Sequence, residues 1–559
     1  MSLLTTGVSA LNTSQTSLAT AGHNISNVNT EGYSRQRVNQ STLPPNFQGA
    51  NYVGSGVSVS SIERLYDEFL AIQVRTFTSQ QAQHESFAKV AGQISTVLGS
   101  SASSLSGGLE SFFNAANGVA NDPTSIAARQ VLLSEGESLV NRFRTLDNQL
   151  AQIDSQLDGQ LAASLDEVNL IAKGIAGLNQ AIIDLSSSSG GQPNDLLDQR
   201  DELINRLAEY VSVNTIEEDI GSVSVFIGTG QGLVIGTTQT DLKAITDLST
   251  DPARLGIGYG SNSIDISAQI SGGSLGGILQ VRGDVIDAAR NELNALATAF
   301  IDNVNTIHQQ GVTLDGSVGG NLFGPIPPST LVADAGSIFV AVTDPRDVAA
   351  AFPASVTTSS NTSGTGTVEI TSIDTSPPLT LPLFGAGDEI QFIYNDTTNE
   401  YAVTDGVNVT TITYDPAVDS GKTFNLTTPF VGLTVKLSGV PADADQFTIG
   451  NNTAVGDNRN ALALANFRTE KILGSGTQSL ADAYDILIAD VASRTNRAEI
   501  NKQAQQGLLG QLQARFDSIS GVNLDEEAAN LIRYQQAFQA ASQIITVSNT
   551  IFNSLLSAL

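Results

Sequence analysis

The C-terminal segment 524–559 carries the most regular apolar pattern of the chain. Apolar residues fall seven positions apart without a gap at Leu524, Leu531, Phe538, Ile545, Phe552 and Leu559. This repeat predicts an amphipathic helix that packs as a coiled coil. Because the apolar face runs to the end of the segment, we expect it to be covered by the N-terminal segment, by copies of the chain, or by both.

A weaker version of the same repeat opens the chain. Leu4, Leu11, Leu18 and Ile25 are seven positions apart and predict a first helix. Asn, Ser, Thr and Gly cluster over residues 24–32, which predicts a loop. Residues 35–62 are expected to be extended, since Pro44-Pro45 and alternating valines disfavour a helix.

The interior of the chain contains two further patterns. Apolar residues at helical spacing predict helices over 63–98, 134–186, 195–212 and 278–308, and short alternating runs within 216–277 predict a small β-rich subregion. The spacing over 134–186 alternates between three and four residues, which is typical of coiled-coil packing.

The pattern changes after residue 315. Gly and Pro are frequent over 316–328, and short alternating runs separated by Gly, Asn, Asp and Pro fill 330–450 before helical spacing returns near Arg459. The sequence therefore predicts an α+β multidomain fold. In it, the N- and C-terminal segments form a long α-helical coiled-coil or bundle core, and an antiparallel β domain is inserted. The predicted domains are an N-terminal helix with an extended loop (1–62), a helical-rod domain (63–315), the inserted outer β domain (316–455), returning helices (456–520) and a C-terminal helix (521–559).

Charge is absent from both ends of the chain. Neither 1–30 nor 534–559 contains Asp, Glu, Lys or Arg, although the whole chain has 56 acidic and 26 basic residues, a formal net charge of -30. Uncharged ends indicate burial among neighbours, because a lone charge there would have to be desolvated. The acidic balance argues against nucleic acid or an anionic membrane as a partner.

The composition argues against several kinds of functional site. The chain has no cysteine and three histidines, His23, His84 and His308, so disulfides, thiolate sites and a multi-histidine metal cage are not expected. We predict no cofactor and no metal. No apolar stretch reaches the length of a transmembrane helix, and no basic region precedes an apolar one near the start. We therefore expect neither membrane insertion nor a cleaved signal peptide.

One motif suggests catalysis. Residues 272–276, GGSLG, match the nucleophile elbow of serine hydrolases, with Ser274 between a predicted strand and a predicted helix. The acid and base partners in the required order, ending at His308, all fall on the single helix that follows. A hydrolase sheet needs further crossovers to bring them back over the serine. We therefore expect no enzyme activity.

Two segments at opposite ends of the chain carry a family resemblance. Residues 21–36, AGHNISNVNTEGYSRQ, resemble the N-terminal signature of the axial proteins of the bacterial flagellum, and residues 525–541, DEEAANLIRYQQAFQAA, are similar to their C-terminal signature. Two internal stretches, NDLLDQRDEL at 194–203 and NVNTIHQQG at 303–311, favour the hook-associated proteins of the hook–filament junction over rod and hook proteins.

The resemblance implies a structural, non-enzymatic subunit on the outside of the cell. Its implied partners are copies of itself in a ring, the hook protein below, and the next hook-associated protein and the filament above. An export chaperone and the flagellar type III export apparatus are implied as well. The terminal helices would pair at the axial core, and the β domain would face outward.

The candidate assembly residues form two groups. The first group contains the packing seam predicted at Leu524, Leu531, Phe538, Ile545 and Phe552, together with the candidate assembly residues Leu4, Leu11, Leu18 and Ile25 of the N-terminal repeat and Tyr534 of the C-terminal signature. The second group is expected to shape the loop after the first helix, through local capping and turn chemistry or through direct contact with another subunit: Asn24, Asn27, Thr30, Gly32, Tyr33 and Arg35.

Three alternatives stay open. The chain could be the hook protein or another axial subunit, which would polymerise into long tubes. It could be a secreted adhesin whose β domain binds a surface ligand, which would not require heptads at both ends. The third alternative is a hydrolase that uses Ser274.

Overall fold

A computed structural model describes residues 2–48, 51–101, 104–189, 191–218, 221–247, 253–324, 335–359, 363–375, 379–426, 432–454 and 456–558. It confirms the predicted α+β multidomain fold, with 54% of the residues in helices. None of the helices in these ranges is both long enough and apolar enough to cross a membrane. The C-terminal residue of the heptad pattern, Leu559, lies outside the described residues, as does the 325–328 part of the predicted Gly- and Pro-rich linker.

The first half of the chain is mainly helical. Helix α1 (Ser2–Ser26) is followed by strands β1 (Gln36–Thr42), β2 (Asn46–Gln48), β3 (Asn51–Val53) and β4 (Val57–Arg64). Four helices come next: α2 (Glu68–Leu98), α3 (Leu105–Asn121), α4 (Ile126–Ser189) and α5 (Asn194–Tyr210). The small β-rich subregion contains β5 (Val213–Glu217), β6 (Val223–Ile227), β7 (Gln231–Ile235), β8 (Thr238–Gln239), β9 (Leu242–Asp247), β10 (Arg254–Tyr259) and β11 (Ile264–Asp265).

The second half contains the remaining elements. Helix α6 (Gly273–Val281) continues through a π-helical turn (Arg282–Asp287) into α7 (Ala288–Gln309). The inserted strands are β12 (Ala354–Thr358), β13 (Thr367–Ile373), β14 (Ile390–Asn395), β15 (Glu400–Thr404), β16 (Val409–Thr413), β17 (Lys422–Asn425), β18 (Leu433–Ser438) and β19 (Gln446–Asn451). The chain closes with α8 (Arg459–Asn466), α9 (Leu480–Ser520) and α10 (Leu524–Ala558).

Several element bounds differ from the sequence prediction. The helix predicted from residue 63 begins at Glu68, because β4 pairs with β1 as far as Arg64. Helix α3 was not predicted. Its two glycines near the start and Gly118 weaken the helical signal, and burial of Phe112 and Phe113 stabilises it instead. Helix α4 extends beyond the predicted 134–186 at both ends.

The described chain divides into two compact units. The first unit comprises Met1–Gly92, Ile153–Val285 and Ser493–Leu559, and the second comprises Gln93–Gln152 and Ile286–Ala492. The domain boundaries predicted from the sequence stay a prediction.

The inserted β domain lies in the second unit and is built from two antiparallel sheets. One has the strand order β12-β19-β14-β15-β16 and the other β13-β18-β17. Alternate residues of these strands point into one shared core, as the burial pattern of β18 illustrates with Leu433, Val435 and Leu437 inside. Phe392, Tyr401 and Phe447 fill its centre and contact one another edge to face or tilted. The alternation of apolar and polar residues over 330–450 therefore correctly predicted an antiparallel β domain.

Candidate functional site

Helices α1 and α10 pack against each other in antiparallel orientation within the first unit. Near one end, Gly7 faces Ile545: a Cβ atom added to Gly7 would lie 2.9 Å from Cγ1 of Ile545. Near the other end, Ala21 and Asn530 line the same cavity of about 430 Å³. Residue numbers therefore rise along α1 as they fall along α10.

The α10 side of this seam follows coiled-coil spacing. Its buried and half-buried residues include Glu527, Leu531, Tyr534, Phe538, Ala541, Ile545 and Ser548. The intervals alternate between four and three residues, so these side chains form one stripe. The predicted Leu531, Tyr534, Phe538 and Ile545 lie on this stripe.

The α1 side is made of small and polar residues. The buried positions of α1 are Gly7, Thr13, Ser14, Ser17, Thr20, Ala21 and Asn24. Gly7 faces α10, whereas Ser17 and Asn24 also hydrogen-bond to strand β1. Thr13 and Ser17 donate their hydroxyl hydrogen bonds to carbonyl oxygens one turn earlier, which satisfies them inside the helix. The predicted apolar residues lie beside this face: Leu4 is exposed, and Leu11, Leu18 and Ile25 are half-buried.

The end of α10 extends past α1. Since Gly7 faces Ile545, Ser2 lies at the level of Thr550, and residues 551–558 continue without a helix opposite them in α1. We call this segment the overhang. Phe552 is 62% exposed, and Ile551, Leu555 and Leu556 are exposed as well. At the opposite end of α10, Leu524 is also exposed.

The loop after α1 is held by Asn24. Its side-chain oxygen accepts hydrogen bonds from the Tyr33 hydroxyl (2.8 Å) and the Gln36 backbone N–H (2.9 Å), and its amide donates to the Gln36 carbonyl (2.9 Å). Burial raises the pKa of Tyr33, so the hydroxyl stays protonated and donates. Asn24 thereby fixes the start of β1 against the end of α1.

Asn27, Thr30 and Gly32 shape the turn itself. The Asn27 amide donates to the His23 carbonyl at 3.0 Å and accepts from the Thr30 hydroxyl at 3.2 Å. Gly32 has φ +75°, and a Cβ there would lie 2.9 Å from Cβ of Glu202. A glycine is therefore required both by the backbone conformation and by the close approach of α5.

Arg35 joins this loop to the start of α10. Its guanidinium pairs with Glu526 and Glu527, each at 2.7 Å, and its backbone N–H donates to the Ser520 carbonyl. Burial opposes the charge of Arg35, but the two carboxylates outweigh it and raise its pKa. Glu527 is 3% exposed, so the pair neutralises a buried carboxylate.

Helix α5 completes the arrangement with buried carboxylates that the sequence reasoning did not single out. Asp198 accepts a hydrogen bond from the Ser34 N–H at 2.8 Å, and Arg64 pairs with Asp198 at 3.0 Å and with Asp201 at 2.6 Å. Burial raises the pKa of Asp198, although Ser34 and Arg64 oppose this effect. Asp198 and Asp201 are three residues apart within the 194–203 stretch, a spacing that puts both on one helix face. We call the loop, α5 and the start of α10 the collar.

The surroundings of Ser274 and His308 give little support to a catalytic site. Ser274 lies in the first turn of helix α6, directly after Gly272 and Gly273. Gly273 approaches the backbone of Tyr210 too closely for a side chain, so close packing explains the GGSLG motif. His308 is buried, and both ring nitrogens are engaged, by the Gly320 carbonyl and the Ala349 N–H. Over the described ranges, no group of three or more His, Cys, Asp or Glu residues could hold a metal ion.

Comparisons with known proteins agree along the whole chain. The model of the "Flagellar hook-associated protein FlgK helical domain" family matches residues 91–323. Models described as "Flagella basal body rod protein" and "Flagellar basal body rod FlgEFG protein C-terminal" match residues 4–33 and 513–558. The chain is 32% identical to flagellar hook-associated protein 1 of Escherichia coli over 99% of both chains, and 25% identical to that of Bacillus subtilis over 100% of this chain and 98% of the relative.

A solved structure has the same fold. It is described as the flagellar hook junction protein FlgK from Burkholderia pseudomallei, is 24% identical, and covers 80% of this chain and all of its own, with a TM-score of 0.69.

Proposed function

The chain belongs to the family of flagellar hook-associated protein 1, and from this premise we propose that it is a structural subunit of the junction between hook and filament. The observation that carries the proposal is the overhang, in which Phe552 and Leu555 continue the stripe of Ile545 and Ser548 past the end of α1. Large apolar side chains that continue a packing stripe without cover need another molecule to cover them. Copies of the chain arranged around an axis would supply that cover.

The position of the subunit in the flagellum follows the same reasoning. We infer a ring of copies with the hook below and the next hook-associated protein and the filament above. The absence of Asp, Glu, Lys and Arg from 1–30 and 534–559 supports a crowded environment for both terminal segments. The inserted β domain (316–455) is strongly net acidic because it contains only three Lys or Arg residues, and exposure to water tolerates this charge.

Export and chemistry belong to the same proposal. We infer export through the flagellar type III apparatus with a chaperone and without a cleaved signal peptide, which agrees with the first basic residue being Arg35. We also infer that the subunit has no enzyme activity. The engaged nitrogens of His308 support this, because a hydrolase that uses Ser274 needs a free base.

Deletion of residues 551–559 tests the proposal. The shortened chain keeps the α1–α10 seam, so we expect a folded monomer by circular dichroism that no longer sediments with isolated hooks. Deletion of the whole segment 524–559 should also abolish docking while the β domain stays folded. As a matched control, Val407→Ser removes a side chain that is 88% exposed on the β domain and should leave docking unchanged.

Other outcomes would favour the alternatives. Full docking by the chain that lacks 551–559 would contradict the role of the overhang. Unlimited growth of long tubes from the purified chain would favour a hook subunit instead. A docking defect in Val407→Ser would indicate that the β domain makes the contact.

A further inference from the structure

A cavity of about 450 Å³ lies within the collar of the first unit, between the turn after α1 and helix α5. Leu178 and Leu203 form apolar walls, and the rings of His23 and Tyr33 meet edge to face at 5.5 Å on its rim. A cavity of this size and lining holds a long side chain with an aliphatic stem.

The polar lining of this cavity is strongly acidic. Glu31, Asp195, Asp198 and Glu202 line it, and no Lys or Arg does. Asp198 is neutralised by Arg64. No ion pair in the described part of the chain involves Glu31 or Glu202, and the pKa of Glu202 is raised, first by burial and then by the charge of Glu31. Burial and the Glu31 charge outweigh the opposing Asn205 hydrogen bond and the charge of Arg206, which itself pairs with Glu167. The half-buried Glu202 and the exposed Glu31 therefore make this cavity negative.

The same first unit presents a cation that lacks a carboxylate. Arg533 is the basic residue of α10; it is exposed, stacks on Tyr534 and forms no ion pair within the described ranges. Arg37, which lines the same second cavity as Arg533, already faces Glu63 across the β1–β4 pair. Arg533 is thus the one Lys or Arg of α10, the helix that carries the overhang, and it has no ion pair in the described residues.

The acidic cavity and Arg533 lie on different faces of the terminal pair. The cavity uses His23 of α1, whereas Arg533 lines the cavity formed with Ser17 and Ala21 of α1. On a helix of 3.6 residues per turn, His23 points about 120° or more away from both of these residues. A contact that uses one face of a copy and a different face of its neighbour can repeat around a ring.

We propose that this cavity is a socket for Arg533 of a neighbouring copy of the chain. The guanidinium reaches Glu31 and Glu202, its aliphatic stem lies against Leu178 and Leu203, and the Tyr33 ring borders it. Planar guanidinium groups bind carboxylates with two hydrogen bonds and stack on aromatic rings, which suits this lining. The inference rests on the proposed ring of copies and names one contact within it.

The absence of cysteine makes a direct test possible. Gln199→Cys, at the lining of the cavity, and Ala537→Cys, one turn after Arg533 on α10, are prepared in separate chains, since both positions are exposed and both variants keep Glu31, Glu202 and Arg533. The two variants are mixed, and a short bis-maleimide is added both on isolated hooks and in concentrated solution. Because each chain has one thiol, a mixed dimer forms only if residue 199 of one copy lies near residue 537 of another. We expect that dimer in both samples.

The control pair replaces Gln199→Cys with Asp166→Cys, which is exposed on α4 and lies about 18 Å along that helix from the cavity residue Leu178. We expect at least about tenfold less mixed dimer from it. Equal yields from the two pairs would overturn the socket. Sedimentation with hooks is scored separately on the unchanged chain. Failure of the unchanged chain to sediment contradicts the proposed function, while the solution sample still decides the socket.

Charge reversal gives a second readout. Glu31→Arg and Arg533→Glu should each lower incorporation on hooks by about tenfold, and the double variant should restore it, because the ion pair is rebuilt with its charges exchanged. Failure of the double variant to exceed either single variant would contradict the contact. Circular dichroism of each monomer excludes a folding defect as the cause.

Discussion

The inserted β domain buries its large apolar side chains, whereas the terminal helix pair leaves several of its own exposed. In the β domain, Phe392, Tyr401 and Phe447 are each no more than 2% exposed, and two sheets enclose them. On α10, Phe552 is 62% exposed although it belongs to an equally regular apolar pattern. The β domain therefore completes its own core, whereas the helix pair leaves part of its core to be completed by another chain.

The residues that pack against these apolar side chains also differ between the two regions. Strands β14 and β19 are neighbours in one sheet and pair large apolar residues on its buried face, such as Phe392 with Phe447, whereas α10 meets Gly7 and Ala21 of α1. Small residues let two helices approach closely but bury little apolar area, so they contribute little stabilisation. The β domain is therefore stabilised by its own core, whereas the helix pair has less apolar contact within the chain, which agrees with the proposed assembly.

The largest effect on the isolated chain is expected from the β-domain core. Phe392→Ala removes a fully buried ring and should lower the free energy of unfolding by about 3 to 5 kcal/mol. Urea unfolding monitored by tyrosine circular dichroism measures it. Val409→Ala, on the exposed face of edge strand β16, is the control and should change stability by less than about 0.5 kcal/mol. Similar losses in both variants would show that the core is not self-contained.

Acid should weaken the second unit through His308. Burial lowers the pKa of His308 to about 4 from 6.5, so the folded chain keeps it neutral while the unfolded chain takes up a proton. The stabilisation is therefore present above pH 6.5 and lost as the pH falls towards 4, by on the order of 3 kcal/mol. His308→Gln should show a smaller loss of stability than the unchanged chain between about pH 7.5 and about pH 4.5. Equal losses would contradict this role of His308.

A smaller effect is expected in the seam of the terminal helices. Gly7→Ala places a methyl group 2.9 Å from Cγ1 of Ile545 and should destabilise the pair by about 1 to 3 kcal/mol through overpacking. Gly22→Ala, on the same helix with nothing within 4 Å, should instead stabilise α1 by about 0.5 to 1 kcal/mol. Thermal unfolding monitored by far-ultraviolet circular dichroism compares them. The same sign for both variants would disprove the close packing at Gly7.

The smallest effect on the isolated chain is expected at Phe552. Phe552→Ser removes a side chain without a cover, so the monomer should change stability by less than about 0.5 kcal/mol. Its docking onto isolated hooks should nevertheless be strongly reduced. A clear loss of monomer stability would show that the overhang packs within its own chain, and the comparison with Phe392 would fail.

Regular periodicity made the helices and the β insert predictable from the sequence. The heptads of α10 and the alternation in β14, β18 and β19 have enough length and contrast to fix the element type, and the alternation also fixes the buried face of these strands. Helix α3 lacks that contrast because Gly107, Gly108 and Gly118 interrupt it, and its buried Phe112 and Phe113 contribute only through tertiary packing. Local patterns do not record such packing.

The collar was predictable in part. The sequence pointed to Asn24, Gly32, Tyr33 and Arg35 through their signature, but not to what they contact. In α1 the heptad pattern predicted contacts by Leu4 and the apolar residues that follow it at intervals of seven. It missed the buried small residues, because glycine, serine and alanine do not form an apolar pattern. The partners Asp198 and Glu527 belong to distant segments, and no local rule joins them to the loop.

The ion pair between Arg35 and Glu527 also constrains the order in which the chain folds. Its two residues are 492 positions apart, whereas the strands of the β domain all lie between residues 354 and 451. Closing a longer loop costs more chain entropy, and the C-terminal partner is synthesised last. The β domain can therefore fold early, while α1 waits without its partner until the final segment arrives.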